Sequence, residues 1–304
     1  MSAVSKAVSA ALPPARILDC DVETYHKDPC DESIPSLSAT TAHIIESKSC
    51  LHAWTNHPRH KSPDDEDEEP EDDKDTKARV NGKLIHRLVL GKGEELVVVE
   101  ADSWRTKAAR EQRDEAKAAG KLPVLVTKLD ELTIAADFIR EGFRREGFDL
   151  TGASEVPVMW YERGAAGPVL CRSLIDHLYL EDGVVIDVKT TRNAHPDDIA
   201  RHFVEYGYDI QARAYTRAVE NLRPELAGRI KFYFIFCELT PPYAVVPIEP
   251  EPAFEEIGKR RWGSAVSKWE ACLAAQRWPS YVSGLHRLVA PEYIIRRYLE
   301  DWAA

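Results

Sequence analysis

The sequence predicts a mixed α/β fold, of the α+β kind, in which helices pack on a mixed sheet. Three observations carry this prediction. From residue 128 onward, hydrophobic periodicity gives the order α-β-β-β-α-β-β-α. The turn Glu181-Asp182-Gly183 separates two apolar runs, as in a β-hairpin. Residues 184–188 are apolar except at one position, which is typical of a strand buried on both faces.

The remaining elements follow from caps and periodicity. Residues 1–35 look irregular, and Ser36 or Ser38 is the N-cap of a first helix that ends near Trp54. Apolar residues at helical spacing predict further helices over about 78–90, 103–120, 128–146, 197–221, 252–276 and 291–302. Apolar runs of strand length predict strands over about 95–100, 155–162, 169–180, 184–190, 230–238 and 243–248. No linker rich in Gly, Ser or Pro divides residues 36–304, which predicts a single domain.

Net charge argues against a generally basic nucleic-acid-binding surface. The 304 residues carry a net charge of −11. Most of this charge lies between Asp64 and Asp75, which hold ten acids and one lysine. A run of this kind cannot bury apolar surface, so residues 60–78 are expected to form a disordered insertion. Either it is a solvated loop, or it mimics DNA or binds a partner. Any DNA contact must come from local clusters such as Arg105, Lys107, Arg110 and Arg113.

Other features bear on the compartment. No run approaches 18 apolar residues, and the N-terminus has no sustained apolar core, so neither a membrane span nor a secretory signal is expected. The six cysteines are scattered without a Cys-x-x-Cys, which suits reduced thiols. These observations predict a cytoplasmic protein; that the cell is bacterial or phage-infected is implied only by the family resemblance given below.

The hairpin carries the chemistry. Asp176 lies on its first strand, and Asp187 and Lys189 lie on its second. Strand residues alternate faces, so Asp187 and Lys189 point the same way and Val188 points opposite. Alone, this pattern is also what an exposed cross-strand ion pair would give. A charged pair at the end of a buried strand, however, needs partners or a metal.

Further polar residues lie near the hairpin in the sequence. Glu155 begins the preceding strand, and Gln211 and Tyr215 form a Gln-x-x-x-Tyr stripe on the following helix. Two acids and a lysine that converge with them make a plausible Mg²⁺ site for phosphodiester hydrolysis. Tyr215 could equally be a core residue.

These motifs together resemble the PD-(D/E)XK nuclease superfamily, whose core is αβββαβ, and within it the RecE (exonuclease VIII) and lambda-type recombination exonucleases. The resemblance covers about residues 36–282, with extra N- and C-terminal helices. The matching motifs are Gly82-Lys-Leu-Ile-His86, Ser154-Glu155, Asp176, Ile186-Asp187-Val188-Lys189-Thr190-Thr191, Gln211-Ala-Arg-Ala-Tyr215 and Trp278-Pro-Ser-Tyr281. The acid before the lysine is Asp187, where several relatives have Glu.

The resemblance implies a site assignment. Asp176, Asp187 and the backbone carbonyl of Val188 would hold Mg²⁺, with Mn²⁺ able to substitute. Lys189 would orient or deprotonate the attacking water, and Glu155 would approach through a second ion or a water. His86 would be either a metal ligand or a hydrogen-bond donor to Asp176. Residues expected to catalyse or contact DNA also include Gln211, Tyr215, Trp54, Arg172 and Thr190. Some relatives carry an iron–sulfur cluster, but the spacing of the cysteines here gives no reason to expect one.

The function implied is a Mg²⁺-dependent exonuclease that degrades linear double-stranded DNA, 5′→3′, to give single-stranded tails for recombination. Implied partners are double-stranded DNA ends, a RecT-like single-strand annealing protein and further copies of the chain in a trimeric or tetrameric ring. One alternative is a structure-specific or CRISPR-associated endonuclease on the same core. Others are a non-catalytic DNA-binding protein with this fold and an unrelated metal-free binding module.

Overall fold

The computed structural model describes residues 12–60, 74–282 and 284–300. The strands are β1 (Arg16–Ile17), β2 (Leu96–Val99), β3 (Leu122–Leu125), β4 (Ala153–Arg163), β5 (Pro168–Tyr179), β6 (Val184–Thr191), β7 (Lys231–Glu238) and β8 (Val245–Ile248). The helices are α1 (Val22–His26), α2 (Ala39–Ser47), α3 (Cys50–Thr55), α4 (Lys74–Leu90), α5 (Lys107–Ala118), α6 (Val126–Arg145), α7 (Pro196–His202), α8 (Tyr208–Leu222), α9 (Pro252–Ala275) and α10 (Glu292–Ile295).

A six-stranded mixed sheet of order β1-β4-β5-β6-β7-β8 forms the centre. Its neighbours pair antiparallel except β6 and β7, which are parallel along their whole length. The order α6-β4-β5-β6-α8-β7 confirms the predicted αβββαβ core, and α9 and α10 follow it. The short strands β2 and β3 make a separate parallel pair.

Helices cover both faces of the sheet because successive strand residues point to opposite sides. On β6, Val185 packs in a cluster with residues of α2, α3, α8 and α9. Ile186 and Val188 pack in a second cluster with residues of α4 and α6. Each face of β6 is therefore shielded from water, as its nearly continuous apolar sequence predicts.

The structure corrects several predicted boundaries. Residues 1–35 are not wholly irregular, because β1 extends the sheet beside β4 and Asp21 caps α1, whose Tyr25 is buried. The strand β3 was not predicted, since its four residues include a proline. The helix expected near 39–54 is two helices, because the Ser49 side chain caps α3 separately.

The helix expected over 197–221 is also two helices, α7 and α8, separated near Gly207. This glycine has φ +74°, and a Cβ there would lie 2.6 Å from the ring of His43. Only glycine fits this left-handed and crowded position. The chain therefore breaks here and restarts as α8 at Tyr208, which sets the angle at which that helix meets the sheet.

The acidic run was predicted to be disordered. Residues 61–73 lie outside the described residues, whereas the predicted insertion extends to 78 and α4 already begins at Lys74. Within the described ranges, no helix is long and apolar enough to cross a membrane.

Candidate active site

The site forms where β5 and β6 separate. The two strands pair from Tyr179–Val184 to His177–Ile186, and the ladder then stops. Beyond that point the Asp176 carboxylate takes the place of the backbone, and its Oδ2 accepts a hydrogen bond from the Val188 amide at 2.8 Å. A side chain that bridges two diverging strands in this way is held firmly beside the Asp187 region.

Asp187 and Lys189 share a face of β6, as the alternation predicts. The Lys189 ammonium contacts Asp187 Oδ2, and Gln211 Nε2 donates to Oδ1 at 2.6 Å. Asp187 is fully buried, and its Oδ2 accepts no well-directed hydrogen bond from the described residues. Burial, and then the neighbouring Asp176, raise the pKa of Asp187 to about 7.

Lys189 stays a cation in this setting. Burial works to lower its pKa, but Asp187 and Asp176 outweigh that effect, so the pKa of Lys189 is raised. Its Nζ lies 5.7 Å from the centre of the Tyr208 ring and 5.8 Å from that of Phe234. The ammonium is thus held between two carboxylates and two aromatic rings, with a fifth of its side chain exposed.

Tyr208 is a site residue that the sequence interpretation missed. It begins α8 and precedes Gln211 by three residues and Tyr215 by seven. Positions i, i+3 and i+7 of a helix lie on one face, so this spacing could have placed Tyr208 beside the two residues that were singled out.

His86 reaches the site from α4. Its Nε2 donates to the Val188 carbonyl at 2.9 Å and lies 3.5 Å from Asp176 Oδ2, while its Nδ1 lies 3.5 Å from Glu155 Oε1. Burial opposes protonation, yet Asp176 and then Glu155 raise the pKa of His86 to about 9. Of the two roles expected for His86, this geometry fits a cationic donor that lies beside Asp176 and holds the Val188 carbonyl of β6.

Glu155 occupies an unusual backbone position. Its strand neighbours Ser154 and Val156 pair with His177 and Ile175 on β5, so Glu155 lies level with Asp176. Its φ of +51° is in the left-handed region, which costs a non-glycine residue roughly 1–3 kcal/mol. A costly conformation at this point turns the carboxylate toward His86 and suggests a functional reason for keeping it.

Four predicted DNA contacts differ in their placement. Arg172 is only 3 % exposed, and its guanidinium lies against Asp28 and the Tyr25 carbonyl, so it is not free to bind a phosphate. Tyr215 is buried, and its hydroxyl accepts a hydrogen bond from Gln211, so it positions Gln211 rather than meeting DNA. Thr190 is half-buried on β6.

Trp54 is likewise engaged in packing. Its ring stacks on Trp278 with centroids 3.9 Å apart and lies 6.2 Å from Trp269. The motif around Trp278 that the sequence singled out therefore meets Trp54 directly. A ring held between two others is poorly placed to act as a wedge at a duplex end.

The donor set fits a hard divalent cation. Within the described ranges, no three Asp, Glu, His or Cys side chains form a ready-made metal cage. Magnesium, however, is commonly held by one or two carboxylates and retains several waters. Asp176, Asp187 and the Val188 carbonyl supply oxygens. Asp187 Oδ2 accepts no well-directed hydrogen bond from the described residues, and a bound cation would satisfy it. Burial, chiefly, raises the pKa of Asp176 as well, although His86 and Lys189 oppose that shift.

Comparison with known proteins agrees with this description. Residues 47–288 match the model of the family described as a PDDEXK-like domain of unknown function, DUF3799. A Eubacterium rectale protein described as a candidate exonuclease has a TM-score of 0.51 at 11% identity, over 91% of this chain and 96% of that one.

A phage-related exonuclease from Haemophilus somnus 129PT has a TM-score of 0.32 at 11% identity, over 80% of this chain and 96% of that one. At these identities the likeness to the Eubacterium rectale structure concerns the fold alone. A search of curated proteins gives no match. The family match spans most of the chain and contains the hairpin, His86 and the Gln-x-x-x-Tyr helix, so this chain belongs to the DUF3799 family of nuclease-like PDDEXK domains.

Proposed function

We propose that this protein is a Mg²⁺-dependent exodeoxyribonuclease that degrades linear double-stranded DNA, 5′→3′, and leaves single-stranded tails. The observation that carries the nuclease proposal is the meeting of Asp176, Asp187 and Lys189 where β5 and β6 separate. The polarity and the exonuclease habit rest on the resemblance of its motifs to the recombination exonucleases. The description given to the Eubacterium rectale protein is consistent with that habit.

Asp176, Asp187 and the Val188 carbonyl would hold the cation. When bound, a divalent ion supplies a Lewis acid that polarises the phosphate and lowers the pKa of a coordinated water. Glu155 lies within reach of His86 and so stands at the edge of the same site. A second cation or a bridging water would explain why a third carboxylate is kept there.

The chain's own residues would position the reactants. Water attacks phosphorus, the bond from phosphorus to the bridging oxygen breaks, and that oxygen takes up a proton. The Lys189 ammonium offsets charge that develops on the phosphate oxygens. Gln211 holds Asp187 in one orientation through its 2.6 Å hydrogen bond, and His86 fixes the Val188 carbonyl in the same way. Such preorganisation accounts for much of enzymatic rate enhancement.

The test is digestion of a linear duplex labelled at one 5′ end or internally, with Mg²⁺, Mn²⁺ or EDTA. We expect cation-dependent release of mononucleotides from linear DNA, and loss of this release in Asp187→Asn and Lys189→Met. Covalently closed circular duplex is the control, because an exonuclease needs an end. Cleavage of the circle at the rate of the linear substrate would favour the endonuclease alternative. Absence of any hydrolysis would favour a non-catalytic DNA-binding protein.

Assembly follows as a second part of the proposal. Large apolar side chains near the C-terminus are mostly exposed in the isolated chain; they are Tyr281, Val282, Leu285, Leu288, Val289, Tyr293, Tyr298 and Leu299. Contiguous exposed apolar surface marks interaction sites. We infer that this C-terminal segment binds a second copy of the chain in a trimeric or tetrameric ring. A ring would hold DNA by enclosing it, although the net charge of −11 gives little electrostatic attraction.

Light scattering coupled to size-exclusion chromatography measures the assembly directly. A strict monomer at micromolar concentration, or a ring unchanged by Leu288→Asp, would contradict this role for the C-terminal segment. A RecT-like annealing protein is the further partner that we propose. Co-elution of the two proteins is its test.

A further inference from the structure

A pocket of about 330 Å³ adjoins the candidate active site. Its walls come from α4, from the end of β6 and the loop after it, from α7 and the segment that leads to α8, from the start of α8 and from β7. Thr191 in its wall shares the strand face of Asp187 and Lys189. Phe236, also in its wall, pairs with Lys189 across the parallel strands. The pocket therefore begins within one or two residues of the proposed catalytic lysine.

Aromatic rings form much of this pocket. The His202 and Tyr206 rings have centroids 5.6 Å apart, and those of Tyr206 and Tyr208 are 5.7 Å apart. Tyr206 is 59 % exposed although it belongs to this aromatic group. Bases of single-stranded nucleic acid stack on such rings, and each stack contributes about 1–3 kcal/mol. Ligand pockets range upward from roughly 300 Å³, so this one suits a single base rather than a duplex.

The polar groups distinguish a base from a phosphate. Asp198 lies in the wall, 3.6 Å from the Arg201 guanidinium that offsets part of its charge, and its carboxylate can accept hydrogen bonds from the N–H groups of a base. Asn193 also lines the pocket, and because its Oδ1 accepts from the His195 amide, its side-chain amide nitrogen is the group that can donate to a ligand. Arg192 is exposed at the same wall, where it can meet the phosphate backbone.

We propose that this pocket binds one unpaired nucleobase of the DNA strand next to the phosphate that is hydrolysed. The inference rests on the proposed nuclease function and adds to it a contact with a base. Stacking on Tyr206 holds the base, and Asp198 and Asn193 meet its polar edge. A base can enter only after it has left the duplex, so its binding in the pocket would stabilise the state in which the terminal base pairs are open.

The experiment uses the full chain carrying Asp187→Asn, with Mg²⁺, and single-stranded oligonucleotides with 2-aminopurine at each of the first six positions. Stacking in the pocket should quench the fluorescence at one position more than at its neighbours. An abasic site at that position should weaken binding roughly tenfold, and Tyr206→Leu should cause a similar loss and abolish the position-specific quenching. Phe138→Leu, at an exposed aromatic residue of α6 outside the pocket, is the matched control and should change neither.

The outcomes separate this inference from the proposed function. If the wild-type protein hydrolyses DNA but abasic sites and Tyr206→Leu have no effect, the base pocket is wrong and the nuclease stands. If no DNA is hydrolysed but quenching is lost in Tyr206→Leu, the pocket stands without the nuclease. The protein could instead bind 5′-phosphorylated oligonucleotide more tightly than 5′-hydroxyl oligonucleotide. If Asp198→Asn increased that preference, the pocket would be a phosphate site and the proposal would be overturned.

Discussion

Two buried carboxylates in this molecule, Asp28 and Asp187, have very different surroundings. Asp28 accepts hydrogen bonds from the amide and hydroxyl of Ser36 at 3.0 and 2.6 Å. The Nε atoms of Arg59 and Arg172 lie 2.8 and 3.2 Å from its oxygens. Asp187 has the Gln211 amide and the Lys189 ammonium, and one of its oxygens lacks a directed hydrogen bond.

Asp28 is surrounded like a carboxylate that supports the fold, whereas Asp187 is surrounded like one that is available for chemistry. Buried charge is tolerated when it is paired and hydrogen-bonded, as at Asp28. That cluster ties the segment after α1 to the start of α2, to the 3₁₀ turn at Arg59 and to β5 at Arg172. Asp187 is incompletely neutralised, and residues retained at such a cost are commonly functional.

The largest expected effect separates activity from stability at Asp187. Asp187→Asn keeps the shape of the side chain but removes a ligand charge, so hydrolysis should fall by about 10³-fold or more, at roughly 1.4 kcal/mol per power of ten. Without divalent cations, burial has raised the pKa of Asp187 to about 7, so its charge opposes folding at pH 8. Lys189 loses its nearest carboxylate but keeps Asp176, so the free energy of unfolding should fall by much less than the roughly 3–5 kcal/mol expected for a broken buried pair. Urea unfolding in EDTA measures this free energy. A loss as large as that expected for Asp28 would mean that Asp187 also supports the fold.

The second prediction tests the opposite behaviour at Asp28. Asp28→Ala would leave Arg59 and Arg172 without their carboxylate, and breaking a buried pair costs about 3–5 kcal/mol. The melting temperature should fall sharply, while hydrolysis per folded molecule stays close to that of the wild type at low temperature. Glu32→Ala, at an exposed acid four residues away, is the control. An Asp28→Ala protein with unaltered stability but lost activity would refute the distinction.

The third prediction concerns pH and the Asp28 cluster. His57 is fully buried, donates to the Ser36 carbonyl at 3.0 Å and lies 3.7 Å from Asp28. Burial lowers the pKa of His57 to about 4, although the Ser36 hydrogen bond and Asp28 oppose this shift. Below pH 6.5 the unfolded chain binds the proton more readily, so stability is fully present above 6.5 and is lost as pH falls toward 4.

Between pH 7 and pH 5 this contribution should decrease by roughly 2 kcal/mol. Urea unfolding of the wild type and of His57→Gln at both pH values isolates it, because other titrating groups are shared. A smaller pH dependence in His57→Gln is expected. Equal slopes in the two proteins would show that His57 is not the group that is titrated.

Local patterns in the sequence were sufficient for the core order and for much of the site. Alternation along β6 placed Asp187 and Lys189 together, and the Gln-x-x-x-Tyr pattern singled out Gln211, which was expected to bond the attacking water or the phosphate and which the structure brings to Asp187. Pairing between distant segments was beyond such patterns. Nothing local shows that Arg172 meets Asp28, 144 positions earlier, rather than solvent. The breaks at Ser49 and Gly207 depend on side-chain caps and on crowding by His43, which are tertiary effects.

The smallest expected effect concerns Trp54 and tests whether this residue supports the fold or contacts DNA. In the structure its ring stacks on Trp278, so it belongs with the residues that support the fold. Trp54→Phe keeps an aromatic ring but reduces the stack, which should cost about 1 kcal/mol of stability. The rate of DNA digestion should not change. Trp262→Phe, at a buried tryptophan that stacks on Trp160, is the matched control. A loss of digestion rate of tenfold or more in Trp54→Phe alone would mean that the ring leaves its stack to meet DNA, because a packing defect of that size leaves nearly all molecules folded.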